Sequence, residues 1–128
     1  TVQGARVSAY ATGVGKVLLS GLSDEAVAAR YKGACFERFT GRTVTTIEDL
    51  LAEVSQARKQ GYAVDEGERE EGVLCFAAPV RDYTGKVIAA VSVSGPATRL
   101  GRLRPQGRYM TQESAANISA ELGWKSGI

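Results

Sequence analysis

The chain of 128 residues contains no histidine. That absence excludes a Ser-His-Asp or Cys-His catalytic set within one chain. It also removes the commonest transition-metal ligand. Cysteine is nearly absent: Cys35 and Cys75 stand alone, without motif spacing, so no disulfide framework, metal site or cofactor is expected. A reducing cytoplasm is the default setting for such a pair. No apolar run approaches the ~18 residues of a membrane span, and no signal-peptide pattern opens the sequence. The net charge is only +2, too weak by itself to mark a nucleic-acid or membrane partner. What remains is 44% apolar and 23% charged residues, the make-up of a single globular domain spanning 1–128.

Helix signals fill the first half. Thr12 precedes an apolar run, GVGKVLLS, as an acceptable N-cap. Ser23 opens a second helix, with Asp24 and Glu25 at the positive end of its dipole and Leu22 and Val27 at staple positions. Gly33 can end it. Thr46 caps the clearest helix, TIEDLLAEVSQARKQG, whose Ile47, Leu50, Leu51, Val54 and Ala57 form one stripe before Gly61. Then the period changes. YAV, VLCFAAPV and VIAAVSVSG are rich in strand formers, and RDYTGK makes a hairpin turn between the last two. A basic loop, RLGRLRPQGR, is expected after Pro96. A final helix over roughly Tyr109 to Leu122 follows, with a thin apolar face of Ala115, Ile118 and Leu122. The sum is an α+β domain.

Four features invite chemistry. Gly13-Val14-Gly15-Lys16 fails as a phosphate loop, because Tyr10 stands where glycine is needed and Val17 where Ser or Thr is needed. It remains a helix start whose free N–H groups can bind a carboxylate, or simply water. In the last strand Val87, Ala89, Val91 and Val93 are expected on one face, with Ile88, Ala90, Ser92 and Ser94 on the other. The two serines make either a ligand strip or a half-exposed edge face. Cys75 reads as a buried small hydrophobe; as a nucleophile it has no histidine to activate it. In the acidic run, Asp65 ends a strand and is the carboxylate expected to point inward. Glu66 to Glu71 read as an external loop without EF-hand spacing. Arg99, Arg102, Arg104 and Arg108 could touch nucleic acid, but no aromatic interleaving accompanies them, and a solvated surface is the expectation.

Together, AYATGVGKVLLSGLSDE and RTVTTIEDLLAEVSQARKQGYAVDEGEREEGVLCFAAPVRDYTGKVIAAVSVSGPATRL resemble the effector-binding domain of IclR-type bacterial transcription factors. The likeness covers nearly the whole chain, with a diverged stretch from Ala34 to Gly41. GYAVDEGE, G-V-x-C-x-A-A-P-V and SVSGP in that order are its specific part. The resemblance implies a GAF-like or profilin-like antiparallel sheet flanked by helices. It implies a sensor of a small organic or aromatic carboxylate, with no catalytic residues. It further implies homo-oligomers, dimers or tetramers, and DNA contact only through a separate N-terminal helix-turn-helix domain that this chain lacks. A helix and the first strands are expected to precede ARVSAYATGVGK, so the N-terminal part of the domain is expected to be missing and one sheet edge open. Residue by residue, the amides of Gly13 and Val14 match those that hold the effector carboxylate. Asp65, Cys75, Ser92 and Ser94 match its polar contacts, and Leu74 and Val7 match apolar walls. The competing readings are an assembly module with a vestigial pocket and, behind it, a small-acid enzyme using Asp65 and Cys75.

Overall fold

A computed structural model describes residues 8–125; Val7 lies outside them. The elements run α1 (Gly13–Ser20), α2 (Asp24–Arg30), α3 (Ile47–Gln60), β1 (Ala63–Glu66), β2 (Val73–Arg81), β3 (Val87–Pro96), α4 (Ala97–Leu100) and α5 (Arg104–Glu121). The strands form one antiparallel sheet in the order β1-β2-β3. Helices α1 and α3 cover one face and α5 the other, the α+β layering expected, and α2 packs on α3.

The caps behave as their residue types dictate. Hydroxyls of Thr12, Ser23 and Thr46 accept from the backbone N–H groups of Gly15, Ala26 and Asp49. Gly61 closes α3 in the left-handed region at φ 81°. The α3 stripe buries Leu50, Val54 and Ala57, and Ile47 and Leu51 pack against a core of Tyr10, Leu19, Val27 and Val44. Arg58, on the outer side of α3, reaches the chain end of α1: its guanidinium donates to the carbonyls of Ser20 at 3.0 Å and Leu22 at 2.7 Å and to the Asp24 carboxylate at 3.1 Å. The diverged stretch is not idle. Phe36 and Phe39 close an aromatic cluster around Tyr10 and Tyr31.

Three expectations fail here. The basic loop is mostly helical. Chain direction is carried from β3 by α4 and a short 3-10 turn, and α5 begins at Arg104, with Pro105 in its first turn, where a missing N–H costs nothing. The apolar face assigned to α5 is also wrong in two of its three residues. Ile118 and Leu122 are each 43% exposed, while Gly107, Thr111, Ala115 and Ser119 are buried. This stripe of small residues at four-residue spacing lets α5 lie close to the sheet, and a Cβ on Gly107 would come within 3.0 Å of the Phe76 ring. The third failure is Val87. The register slips between Val80 and Arg81, so Val80 pairs with Ala89 but Arg81 with Val87. A bulge turns the strand over, and Val87 lies under Gly21 at the end of α1 instead of sharing the face of Ala89.

Gly15 sets how closely α1 sits on the 3-10 turn Ala9–Ala11. A Cβ there would fall 2.2 Å from the Ala9 carbonyl oxygen, a backbone atom that cannot swing away. Alanine normally favours a helix over glycine; here the sign reverses. Gly15→Ala is expected to destabilise the domain by about 3 kcal/mol, read from urea unfolding.

Candidate functional site

The sheet register brings the sequence candidates into one patch. Asp65 pairs with Cys75, and Cys75 with Ser94; one step along, Ala63 pairs with Ala77 and Ala77 with Ser92. Directly paired residues point to the same side of a sheet, so Asp65, Cys75, Ser94 and Ser92 share the face on which α1 lies. The amino terminus of α1 stands over them. A Cβ on Gly13 would be 3.5 Å from the Ala77 Cβ, 3.6 Å from the Asp65 Cβ and 3.7 Å from the Cys75 Sγ. The Thr12 hydroxyl uses the Gly15 N–H, and helix geometry gives the N–H groups of Gly13 and Val14 no carbonyl of their own. An anion placed there meets two donors and the positive end of a helix.

The patch is graded. Asp65 and Cys75 are buried beneath α1, whereas Ser92 and Ser94 on β3 are exposed. The open side follows from β3 being an edge strand of the described sheet. Leu74 does not join this group. Alternation sends it to the opposite face, where it is buried opposite Gly95 of β3. Two clefts lie elsewhere: one of 420 Å³ beside β1, lined by Arg42, Glu53, Val64, Glu66, Glu68 and Arg104, and one of 430 Å³ between α5 and the β2 overhang near Pro79 and Trp124. Neither is lined by Gly13, Cys75, Ser92 or Ser94.

Sequence reading missed a buried charge cluster next to the patch. Lys16, one turn on from Gly13, is 2% exposed, and its amine donates to Glu53 and Glu68. Glu68 is 4% exposed, which corrects the reading of Glu66 to Glu71 as a wholly external loop. The turn is nailed down on three sides. The Glu68 N–H donates to Asp65 Oδ1 at 2.8 Å, and the hydroxyls of Thr40 and Thr43 donate to the carbonyls of Gly67 at 2.6 Å and Glu68 at 2.5 Å. Glu66 points outward to Arg104 and Arg42, and Arg69 lies 4.0 Å over the Phe39 ring. The available signal was the glycine at position 67, which takes φ 85° and lets the chain turn back so that Glu68 faces α1.

Burial dominates the ionisation of the patch. It raises the Asp65 carboxyl above its usual range, against the pull of the Glu68 N–H and of Lys16. Glu68 is also raised by burial, which outweighs its bond to Lys16. The Cys75 thiol is pushed up by burial and by the neighbouring Asp65 charge, against the hydroxyls of Ser94 and Ser92. A thiol held protonated is a poor nucleophile, so the arrangement suits binding through hydrogen bonds better than covalent chemistry.

The chain is similar to known proteins. A family model described as the C-terminal domain of bacterial transcriptional regulator IclR matches residues 1–120. The transcriptional repressor AllR of Salmonella paratyphi A is 40% identical over 124 residues, covering 95% of this chain and 45% of the relative. The transcriptional regulator KdgR of Escherichia coli is 41% identical over 122 residues, 94% of this chain and 46% of KdgR. The crystal structure of the KdgR C-terminal domain superposes with a TM-score of 0.86, covering 94% of this chain and 74% of that one. A double mutant of the PobR inducer-binding domain from Acinetobacter, in complex with 3-hydroxybenzoic acid, is 30% identical with a TM-score of 0.84, covering 91% and 67%. These relatives are regulators, not enzymes, and the chain spans about half the length of the curated ones.

Two outcomes follow from the ionisation. Asp65 and Glu68 bind protons more readily folded than unfolded. Their contribution to stability is therefore fully present below the unfolded carboxylate range of about 4 and is lost as pH rises through the folded values. Asp65→Asn keeps an oxygen for the Glu68 N–H but cannot ionise. It should flatten the fall of stability with rising pH in urea unfolding, with no loss at neutral pH. For the thiols, exposed Cys35 should react with Ellman's reagent at once and buried Cys75 only on unfolding.

Proposed function

The chain belongs to the family of C-terminal domains of IclR-type bacterial transcriptional regulators, and from that premise we propose that it is the effector-sensing part of such a regulator. Its ligand is a small organic or aromatic carboxylate. The observation that carries this reading is the placing of a helix amino terminus over a strand-paired row of polar groups, Asp65, Cys75 and Ser94, with Ser92 beside it.

The ligand carboxylate docks on the N–H groups of Gly13 and Val14. Ser92, Ser94 and Cys75 supply hydrogen bonds along its length. Asp65, which lies against Gly13, accepts a hydrogen bond from a ligand hydroxyl. An ionised Asp65 would repel the anion, and the burial that raises its pKa lowers that penalty. The 3-hydroxybenzoic acid of the PobR complex has this pairing of a carboxylate with a hydroxyl, which supports the reading for this chain. Regulation requires that the ligand bind one assembly state more tightly than another. The states here are homo-oligomers, dimers or tetramers, of a cytoplasmic protein whose DNA contact lies in a separate helix-turn-helix domain. The open edge of β3 favours one alternative, an assembly module without a working pocket.

A thermal-shift screen against oxoacids, dicarboxylates and benzoates separates the two. A ligand that binds only the folded chain adds about 2.7 kcal/mol at a hundredfold excess over Kd. One acid class should raise the midpoint with dose, and the Ser92→Ala/Ser94→Ala variant should melt cooperatively yet lose the shift. A chain that ignores every acid while associating with concentration would sink the sensor reading.

A further inference from the structure

The effector reading uses Gly13, Val14, Asp65, Cys75, Ser92 and Ser94, and leaves out the most deeply buried charges in the described chain, Lys16 and Glu68. We propose that Lys16 and Glu68 are positioning residues of the effector site, holding Asp65 beneath the amino terminus of α1. The proposal rests on the effector reading and adds to it the two residues that set its geometry.

The site has two halves with no covalent neighbourhood. One is the first turn of α1; the other is the end of β1, about fifty residues on. Lys16 lies three residues after Gly13 and so on the same side of the helix. Glu68 lies three residues after Asp65, and its own N–H donates to the Asp65 carboxylate at 2.8 Å. The Lys16–Glu68 ion pair thus joins the halves directly. Thr40 and Thr43 hold the same turn by its carbonyls, so the turn has little freedom to carry Asp65 elsewhere. The groups that bear on Asp65 are Lys16 from α1, Glu53 from α3, Glu68 from its own loop and Cys75 from β2.

Glu68 also breaks a packing rule. Its Oε2 is buried and has no hydrogen-bond partner among the described residues. An unpaired buried carboxylate oxygen is costly, and a side chain present only to fill space would be apolar. Local violations of this kind belong to functional sites. Here the charge is retained because it anchors Lys16 and because it acts on Asp65 across the turn.

Carbon-detected NMR titration of the carboxyl groups in the ligand-free chain tests this. Glu68→Gln keeps the backbone N–H and the side-chain shape but removes a like charge, so the Asp65 titration midpoint should fall. Lys16→Met removes the nearby cation, so the same midpoint should rise. Opposite movements in two folded variants are the expected result, and a role in packing alone would not produce them. A midpoint that stays in place in folded Glu68→Gln, or moves the same way in both variants, overturns the proposal. Lys16→Met leaves a buried charge unpaired and risks unfolding; Glu68→Gln then decides by itself. Because no ligand is present, a negative result here leaves the effector reading standing, whereas a failed ligand screen removes the effector site and with it this role, even if the Asp65 midpoint moves as expected.

Discussion

One buried amine organises this domain. Lys16 enters from α1, a helix with no other charged residue, and finds carboxylates from α3 and from the turn after β1. Desolvating a charge costs several kcal/mol, and removing one partner of a buried pair costs about 3–5 kcal/mol, although the pair itself adds little over a well-packed apolar replacement. Its contribution is therefore placement. A helix, a second helix and a strand end are pinned to a common point by the buried amine. The α1 terminus, with its free N–H groups, inherits its position from that point.

The sheet complements the pin. Alternation and cross-strand pairing put Asp65, Cys75, Ser92 and Ser94 on one face without any of them being adjacent in sequence. The same geometry decides what does not belong: Leu74, next to Cys75, is sent through to the α5 side. The gradient from buried Asp65 to exposed Ser94 along one row gives the patch a closed end and an open end. A ligand bound there would have its charged or polar contacts buried at one end and water at the other.

Much of this was legible before any coordinates. The three helix caps, the helix-ending Gly61, the hairpin and the α3 stripe each rest on local rules, and each appears where its residues place it. That Ser92 and Ser94 share one face followed from strand alternation, but it is the bulge after Val80 that sets Ser94 opposite Cys75 and Ser92 opposite Ala77. What escaped depends on distant partners. Glu68 looks like its acidic neighbours until Lys16 is known to lie across from it. Val87 changes face because of a bulge that alternation cannot announce. The buried side of α5 was misjudged because hydrophobic residues were sought there, while the sheet accepts a stripe of Gly107, Thr111, Ala115 and Ser119 and leaves Ile118 in water.

That stripe has a further consequence. A surface repeating every four residues looks nearly the same after a shift of one turn, about 5.4 Å along the axis. The small residues alone therefore specify how close α5 lies but not where along its length it stops. Two unlike contacts near its ends supply the stop. Near the start, the Phe76 ring occupies the space that only Gly107 leaves. Near the finish, the Ser119 hydroxyl accepts the Arg81 N–H at 2.9 Å, beyond the reach of β1. Like a sliding bolt with a notch at each end, α5 is seated by its two terminal fits and merely guided by what lies between them.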